Sequence, residues 1–331
     1  MKFKLLFFIG VLLLAVSSSF AADNITLTFS SVSVPGDAHT KAMEVFKTTL
    51  KGVSGGSMDV DVYHSGQLFS QEAELAAVRR GTLDLAYTAA SWNAEFVPYL
   101  SMLGAVYTFS GYDHMTKVLN GEIGKKIFND VAKATGARPL GAFYLGTRQL
   151  NLVEKVGEVR HPDDMKGVKL RTPGSPTWLA LGKALGGNPT PMSFSEVYMG
   201  LKTGAIEGQD NPLPTDKNAK FYEVTKYIVL TDHLADSVWP TINEKKWQSF
   251  TDQQKGWVLE AIEAARKACD DQNLENEGKL KDFFKSKGLV IIENPDKEAF
   301  QKYAKNSYLT ESKNISKDWD LKIYDAIQAA K

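Results

Sequence analysis

The 331-residue chain lacks several features that would assign it to a particular class of protein. Its single cysteine, Cys269, excludes an internal disulfide and every metal site built from several cysteines; it lies in a helical pattern, so we predict that it packs in the core. The 39 basic and 39 acidic residues cancel, and no excess of positive charge predicts binding to nucleic acid or to an anionic membrane. With 43% hydrophobic residues, the chain has the composition of a globular protein, and its length suggests two domains.

Local motifs of the common enzyme classes are also missing. The sequence has no Walker phosphate loop, no G-x-G-x-x-G after a predicted strand, and no pair among its five histidines at zinc-binding spacing. Residues 52–56 match the G-x-S-x-G pattern of a hydrolase nucleophile, but a predicted helix precedes them and a strand follows, the reverse of what that motif requires. We therefore predict no catalytic residue, metal or cofactor. A catalytic site assembled only by the fold stays open at this point.

The N-terminus has the three parts of a secretory signal peptide. Lys2 and Lys4 precede an apolar run of twelve residues at 5–16, and small residues lead up to Ala21. The run is too short to cross about 30 Å of hydrocarbon. We predict cleavage after Ala21 and export to the periplasm. Without Lys2 and Lys4, the mature chain would carry 37 basic and 39 acidic residues, a net charge of −2.

Strand-like and helix-like patterns alternate along the mature chain. The predicted strands lie at 26–30, 58–63, 83–89, 140–145, 149–153, 168–172, 205–211 and 289–292. One predicted helix follows Asp37 as its N-cap, three more occupy 71–80, 175–185 and 251–285, and another begins at a capping box in 193–196. The first three strands and two helices predict a β-α-β-α-β unit in a mainly parallel sheet. The sequence contains no repeat and no flexible linker. We therefore expect two tightly joined zones, with the chain passing between them more than once.

Two arginines stand where open α/β sheets bind ligands. Arg171 ends a predicted strand directly before a predicted helix, and Arg148 has a similar place between two strand-like segments. Such an arginine can hold a carboxylate through two parallel hydrogen bonds, and the helix N-terminus adds positive potential. Asn211, where another strand ends at a proline, could bond a ligand oxygen. From the pattern alone, the arginines could equally be solvated or paired with surface acids, and Asn211 could serve the turn.

Motifs spread over nearly the whole mature chain carry a family resemblance. They are KLRTP (169–173), LGGNPTPM (185–192), FSEVY (194–198), LKTGAIEGQDNP (201–212) and FYEV (221–224), with His233, GQL (66–68) and RGTLDL (80–85). Together they resemble the extracytoplasmic solute receptors of tripartite ATP-independent periplasmic (TRAP) transporters, of the dicarboxylate and sialic acid type. The departure from the family pattern at 206–207, Ile-Glu in place of the usual Val-Asp, is conservative.

The resemblance implies an α/β protein with two lobes that hinge around a cleft and are spanned by the long helix predicted at 251–285. We expect lobe I to comprise 22–147 and 236–275, and lobe II to comprise 148–235 and 276–331. The resemblance also implies a small carboxylate as ligand and a TRAP membrane permease as partner. We expect a monomer that binds its solute without chemical turnover.

The resemblance further implies roles for four residues of the cleft. In the family, the arginine of the K-x-R-x-P strand clamps the substrate carboxylate, and it corresponds to Arg171. A second arginine about twenty residues earlier assists and corresponds to Arg148. The asparagine of the G-Q-x-N-P segment corresponds to Asn211, and the aromatic residue before the E-V-Y helix corresponds to Phe194.

The rest of the pocket is not fixed by a motif. We predict that Trp92, Trp239 and His39 line it, with core packing as the alternative for each. Tryptophans and polar residues near the cleft favour a sugar acid, which could be a uronate, an aldonate or sialic acid, while dicarboxylates, keto acids and aromatic acids also stay open. Two other functions also stay open: a periplasmic enzyme acting on a small acid, and a soluble sensor subunit of the same fold.

Overall fold

The computed structural model describes residues 24–331, so the predicted signal peptide and its cleavage site after Ala21 lie outside the described residues. The strands are β1 (Ile25–Ser30), β2 (Met58–Tyr63), β3 (Leu85–Thr88), β4 (Ala137–Pro139), β5 (Phe143–Leu152), β6 (Lys169–Thr172), β7 (Asn188–Pro191), β8 (Gly208–Pro212), β9 (Tyr227–Asn243) and β10 (Val290–Ile292).

The helices alternate with these strands in sequence. They are α1 (Ala38–Val53), α2 (Gln71–Arg80), α3 (Ala90–Asn93), α4 (Tyr112–Leu119), α5 (Glu122–Thr135), α6 (Pro176–Ala184), α7 (Val197–Thr203), α8 (Leu213–Asn218), α9 (Glu244–Ser249), α10 (Asp252–Ser286), α11 (Lys297–Leu309), α12 (Lys313–Ser316) and α13 (Leu321–Ala329). Short 3₁₀ turns occur at Pro98–Met102, Glu154–Val156, Pro162–Met165, Phe194–Glu196 and Phe221–Glu223. None of the helices within 24–331 combines the length and the apolar character needed to cross a membrane.

The ten strands of residues 24–331 form one sheet in the order β2-β1-β3-β9-β5-β8-β6-β7, with β4 and β10 beside β9. β1 is parallel to both β2 and β3, which confirms the predicted β-α-β-α-β unit. β6 is likewise parallel to β7 and β8. We call the part built on β1 to β4 the first lobe and the part built on β6, β7, β8 and β10 the second lobe. The fold is a two-lobed α/β architecture.

β9 joins the two lobes and was not predicted from the sequence. Its C-terminal part, from Trp239 onward, pairs antiparallel with β3 and β4, and its N-terminal part pairs with β5 and β10. Most of its side chains are buried, but Asp232 within it has a positive φ of 47° and is exposed. Polar residues such as Thr231 and Asp232 interrupt the alternation of apolar and polar residues that identifies a strand in a sequence. The strand is stabilised by pairing along its length rather than by a local pattern.

The long helix α10 confirms the helix predicted at 251–285. Thr251 and Gln254 form a capping box at its start, which bonds free N–H groups of the first turn. Its first half packs on α1 and β5, where the buried thiol of Cys269 fills part of the core as predicted. Its second half contributes Leu280 and Phe284 to a cluster with α8. The helix therefore spans both lobes.

Two local predictions about strands and caps are wrong. The segments 140–145 and 149–153 belong to one strand, β5, because Gly146 with φ of 126° carries the chain through a bulge without ending the pairing. Ser193 does not cap the following helix. Its hydroxyl donates to Glu72 on α2, 3.0 Å away, and a 3₁₀ turn precedes α7.

Candidate functional site

A cleft with a cavity volume of about 70 Å³ lies between the lobes. The first lobe contributes the β1–α1 loop, the start of α2 and the segment after β3, while the second contributes strand ends and helix starts around β8 and α6. Its lining residues are Ser33, Asp37, His39, Gln71, Ala89, Trp92, Leu145, Arg148, Trp178, Phe194, Asn211, Thr215, Asp236, Ser237 and Val238. The predicted residues His39, Trp92, Arg148, Phe194 and Asn211 are all in this set. They come from distant parts of the chain and are brought together only by the fold.

Arg171 and Trp239, the other two predicted site residues, do not line this cavity. Arg171 lies next to the lining residue Phe194, with its guanidinium carbon over that ring, 6.0 Å from the ring centre. Trp239 is fully buried in the core, where its ring packs against Phe128 and its Nε1 donates to Ser237 Oγ at 3.0 Å. Since Ser237 is a lining residue, Trp239 supports the wall of the cleft from behind.

Arg148 is buried and already has anionic partners. Its Nε donates to Asp236 Oδ2 at 2.7 Å, and its Nη1 donates to the Asp210 carbonyl at 2.6 Å. The guanidinium lies over the ring of Trp178, 4.5 Å from the ring centre. Burial opposes the charge, but Asp236 and Asp210 together raise the pKa of Arg148 above its usual value. Its positive charge is therefore largely compensated within the protein.

Arg171 differs from Arg148 because it lacks such a partner. It is only 2% exposed, and its Nε donates to the Met192 carbonyl at 2.8 Å, while its buried Nη2 has no acceptor among the described residues. Burial and the positive charge of Arg148 lower the pKa of Arg171 to about 10, against the opposing effect of Asp210. The group stays charged at neutral pH. A buried cation with a free donor nitrogen is a suitable place for an anion.

Hydrogen bonds from both sides hold the Asn211 side chain. Its Oδ1 accepts from Arg148 Nη1 at 3.2 Å, and its Nδ2 donates to Gln209 Oε1 at 2.6 Å. Next to it, the carboxylate of Asp210 lies 3.2 Å from His233 Nε2 and 3.4 Å from Arg148 Nη1. This network under β8 is buried and leaves Asn211 little freedom to rotate. No group of His, Cys, Asp and Glu within 24–331 is arranged to hold a metal ion.

The first-lobe wall begins with Asp37 and His39. Asp37 occupies the predicted N-cap position, but its carboxylate accepts from the Val34 N–H at 3.0 Å and from Asn218 Nδ2 at 2.9 Å instead of capping α1. Burial raises the pKa of Asp37 and lowers that of His39. The imidazole is therefore expected to be neutral. Because Asn218 ends α8, the Asp37 bond connects the two lobes at the edge of the cleft.

A second cavity adjoins the first and shares Gln71 and Trp92 with it. Its other lining residues are Glu72, Leu75, Tyr87, Thr88, Glu95 and Gly174. Trp92 Nε1 and Gln71 Oε1, at the junction, are both buried and have no hydrogen-bond partner among the described residues. Gln71, Trp178 and Asp236 also line the cleft but were not predicted from the sequence. No local pattern distinguishes them, since one lies at a helix start, one inside a helix and one on the unpredicted strand β9.

Comparison with known proteins gives the family. Residues 29–314 match the family described as "Bacterial extracellular solute-binding protein, family 7". The chain belongs to this family. Its relatives include solute receptors of TRAP transporters, which confirms the resemblance found in the sequence. These proteins bind solutes and are not enzymes, so the chain is a binding protein.

Three relatives illustrate the similarity. The chain is 31% identical to the sialic acid-binding periplasmic protein SiaP of Vibrio cholerae, over 93% of this chain and 94% of the relative. A TRAP periplasmic solute binding protein of Roseobacter denitrificans with bound 3-deoxy-D-manno-oct-2-ulosonic acid has a TM-score of 0.88 and 33% identity, covering 93% and 100% of the two chains. Another from the same organism, with bound L-galactonate, has a TM-score of 0.84 and 28% identity, covering 94% and 99%.

Proposed function

We propose that this chain is a periplasmic receptor that captures a sugar acid through Arg171 and delivers it to the membrane permease of a TRAP transporter. The observation that carries the proposal is the buried guanidinium whose Nη2 has no acceptor among the described residues. A buried charge without a partner is costly, and a ligand carboxylate would remove that cost by accepting hydrogen bonds from the terminal nitrogens of Arg171.

The surroundings of Arg148 support different roles for Arg148 and Arg171 in ligand binding. Arg148 is paired with Asp236 and the main chain of Asp210, and it also holds the Oδ1 of Asn211. We therefore assign Arg171 to the carboxylate. Arg148 keeps Asn211 oriented toward the ligand and contributes a smaller part of the attraction, because its own charge is compensated.

The sugar part of the proposed ligand is supported by the aromatic lining and by the relatives. Trp92, Trp178 and Phe194 give the cavity flat apolar walls, and Ser33 and Thr215 add hydroxyls. Sugars and polyols pack well against such walls because their faces are partly apolar, while their hydroxyls need hydrogen-bond partners. The relatives described above include a sialic acid-binding protein and structures with bound 3-deoxy-D-manno-oct-2-ulosonic acid and L-galactonate.

Closure of the lobes would couple binding to delivery. We propose lobe I as 22–147 with 236–275 and lobe II as 148–235 with 276–331, hinged where β9 and α10 connect them. A ligand held from both sides binds the closed form better and shifts the population toward it. The closed, loaded monomer, exported by a signal peptide cleaved after Ala21, is then the form that the permease recognises.

A thermal-shift screen followed by titration calorimetry tests this proposal. Residues 22–331 are refolded to remove retained solute and mixed with sialic acid, 3-deoxy-D-manno-oct-2-ulosonic acid, aldonates and uronates, with galactitol and glucose as neutral controls. We expect at least one acid to raise the melting temperature by mass action and the neutral compounds to leave it unchanged. Equal shifts with neutral sugars would contradict the carboxylate clamp. No shift with any acid would contradict the receptor proposal itself.

A further inference from the structure

The charged residues around the cleft are unevenly distributed. Its two adjoining cavities are lined by four acidic side chains, namely Asp37, Asp236, Glu72 and Glu95. The cationic side chain lining them is Arg148, and Arg171 lies next to Phe194. A single ligand carboxylate at Arg171 would balance the one cation whose charge is not compensated. A second carboxylate on the same ligand would find no uncompensated cation among the lining residues with which to form an ion pair.

The junction between the two cavities suits a hydroxyl group better than a carboxylate. Trp92 Nε1 can only donate a hydrogen bond and Gln71 Oε1 can only accept one, and both atoms are buried and unpartnered among the described residues. A hydroxyl can accept from the indole and donate to the amide oxygen at the same time. A carboxylate can accept but has no proton to donate, so it would leave the Gln71 oxygen facing a negative charge.

Beyond the junction, the second cavity offers acceptors. Glu95 lines it together with Glu72, whose Oε2 accepts from Ser193 Oγ at 3.0 Å across the lobes. Glu72 is also close enough to Arg171 to affect the pKa of the guanidinium. Both glutamates are exposed in this structure, so solvent screens them, but a bound ligand would displace part of that solvent.

From these observations we propose that the cleft selects polyhydroxylated acids with a single carboxylate and rejects the corresponding dicarboxylates. The inference rests on the proposed function and names the class of acid. Gln71 and Trp92 bind a hydroxyl of the ligand, and Glu72 and Glu95 repel a second carboxylate. An aldonate or uronate therefore binds at least about tenfold more tightly than an aldarate, in which a second chain end is a carboxylate, or than a C4-dicarboxylate.

Titration calorimetry on residues 22–331 tests the selectivity. The probes are D-gluconate, D-galactonate, L-galactonate, D-glucuronate, sialic acid and 3-deoxy-D-manno-oct-2-ulosonic acid as monoacids, and D-glucarate, galactarate, succinate and malate as diacids. We expect the best monoacid to bind at least about tenfold more tightly than every diacid. A diacid that binds as tightly would overturn this inference and leave the receptor function intact. Absence of binding by any monoacid or diacid would instead refute the proposed function.

Variants separate repulsion by the glutamates from a simple difference in shape. Glu95→Gln, alone and with Glu72→Gln, removes negative charge with little change in volume, and Glu122→Gln on α5 is the control outside both cavities. In the double variant, we expect the ratio of the affinity for the best-binding diacid to the affinity for the monoacid to rise at least about fivefold. In the control, we expect neither affinity to change. Trp92→Phe, which removes the N–H donor, should weaken the monoacid about fivefold. An unchanged ratio of the two affinities in the double variant would refute the role of the glutamates.

Discussion

At the scale of single residues, Arg171 and Arg148 have the same side chain but different electrostatic environments. Arg148 is bonded to Asp236 and to the Asp210 carbonyl, whereas the Nη2 of Arg171 has no acceptor among residues 24–331. The first arrangement stabilises the protein and the second leaves a cation available for an anion. Substitutions at the two positions should therefore affect stability and binding in different ways.

Arg171→Ala is expected to weaken binding of the sugar acid at least about a hundredfold, because the ligand carboxylate loses its charged partner in a desolvated cleft. Arg171→Lys should also bind at least about tenfold more weakly, since an ammonium group lacks the planar fork of donors. The melting temperature without ligand should not fall in Arg171→Ala, because an unpaired buried charge is removed. Calorimetry and thermal unfolding measure these effects, with the exposed Arg160→Ala as control. Near-normal affinity in both variants would exclude Arg171 as the clamp.

Arg148→Ala is expected to destabilise the protein by about 3–5 kcal/mol, because removing one partner of a buried ion pair leaves the other charge uncompensated. Asp236 would keep its position beside the cleft without its 2.7 Å bond to the guanidinium. Urea unfolding monitored by tryptophan fluorescence measures the loss. The double variant Arg148→Ala with Asp236→Ala should recover part of it. A single variant as stable as the wild type would contradict the pairing described here.

At the scale of elements, the sequence predicted those whose signals are local. α10 has a capping box and apolar residues at helical spacing, so its limits could be predicted to within one residue at each end. β9 could not be predicted, because its stability comes from pairing with β3 and β5 and its polar positions break the alternation. The cleft residues followed the same rule. Arg148, which lines the cavity, was predicted from its place between two strand-like segments, whereas Asp236 lies on β9 and was missed.

Trp239 illustrates a limit of reasoning from residue type. A tryptophan at a chain crossover has the flat face that sugar binding uses, but it also has one of the largest apolar surfaces for a core. Its indole N–H already donates to Ser237, so it can be buried without an unpaired donor. Trp92 lies at the cleft with its Nε1 unpartnered among the described residues. The two cases differ in whether the folded chain gives the indole N–H a hydrogen-bond partner, and residue type alone does not show this.

Gly146 is the point of β5 where an added side chain should damage the site. Its φ is 126°, and a Cβ there would lie 2.5 Å from the Pro212 side chain and 2.9 Å from Glu277. We expect Gly146→Ala to destabilise the protein by about 1–3 kcal/mol and to weaken ligand binding, because it pushes β5 away from β8 next to Arg148. Gly256→Ala, in open space on α10, is the matched control and should stabilise by up to about 1 kcal/mol. Equal effects of the two substitutions in urea unfolding would refute the steric reason.

At the scale of the whole molecule, the lobes are tied together by side chains at the rim of the cleft. Asn218 Nδ2 on the second lobe donates to Asp37 Oδ1 on the first at 2.9 Å, and a Cβ at Gly36 would lie 2.9 Å from Asn218 Oδ1. Ser193 and Glu72 form a second such bond at 3.0 Å. Both bonds need the lobes to be close. They therefore favour the closed arrangement independently of any contact with ligand.

The Asn218 bond should consequently contribute to affinity without touching the solute. One hydrogen bond is worth about 1 kcal/mol net, so Asn218→Ala should weaken binding about fivefold, mainly through faster dissociation. Small-angle scattering should show wild-type protein contracting when the sugar acid is added, and the variant needing more ligand to reach the same compact state. Asn314→Ala, exposed on α12, should behave as wild type in both measurements. If Asn218→Ala bound ligand and contracted like the wild type, closure would depend on the ligand contacts alone. The lack of a side chain at Gly36 would then serve local packing and not the contact between Asn218 and Asp37 that joins the lobes.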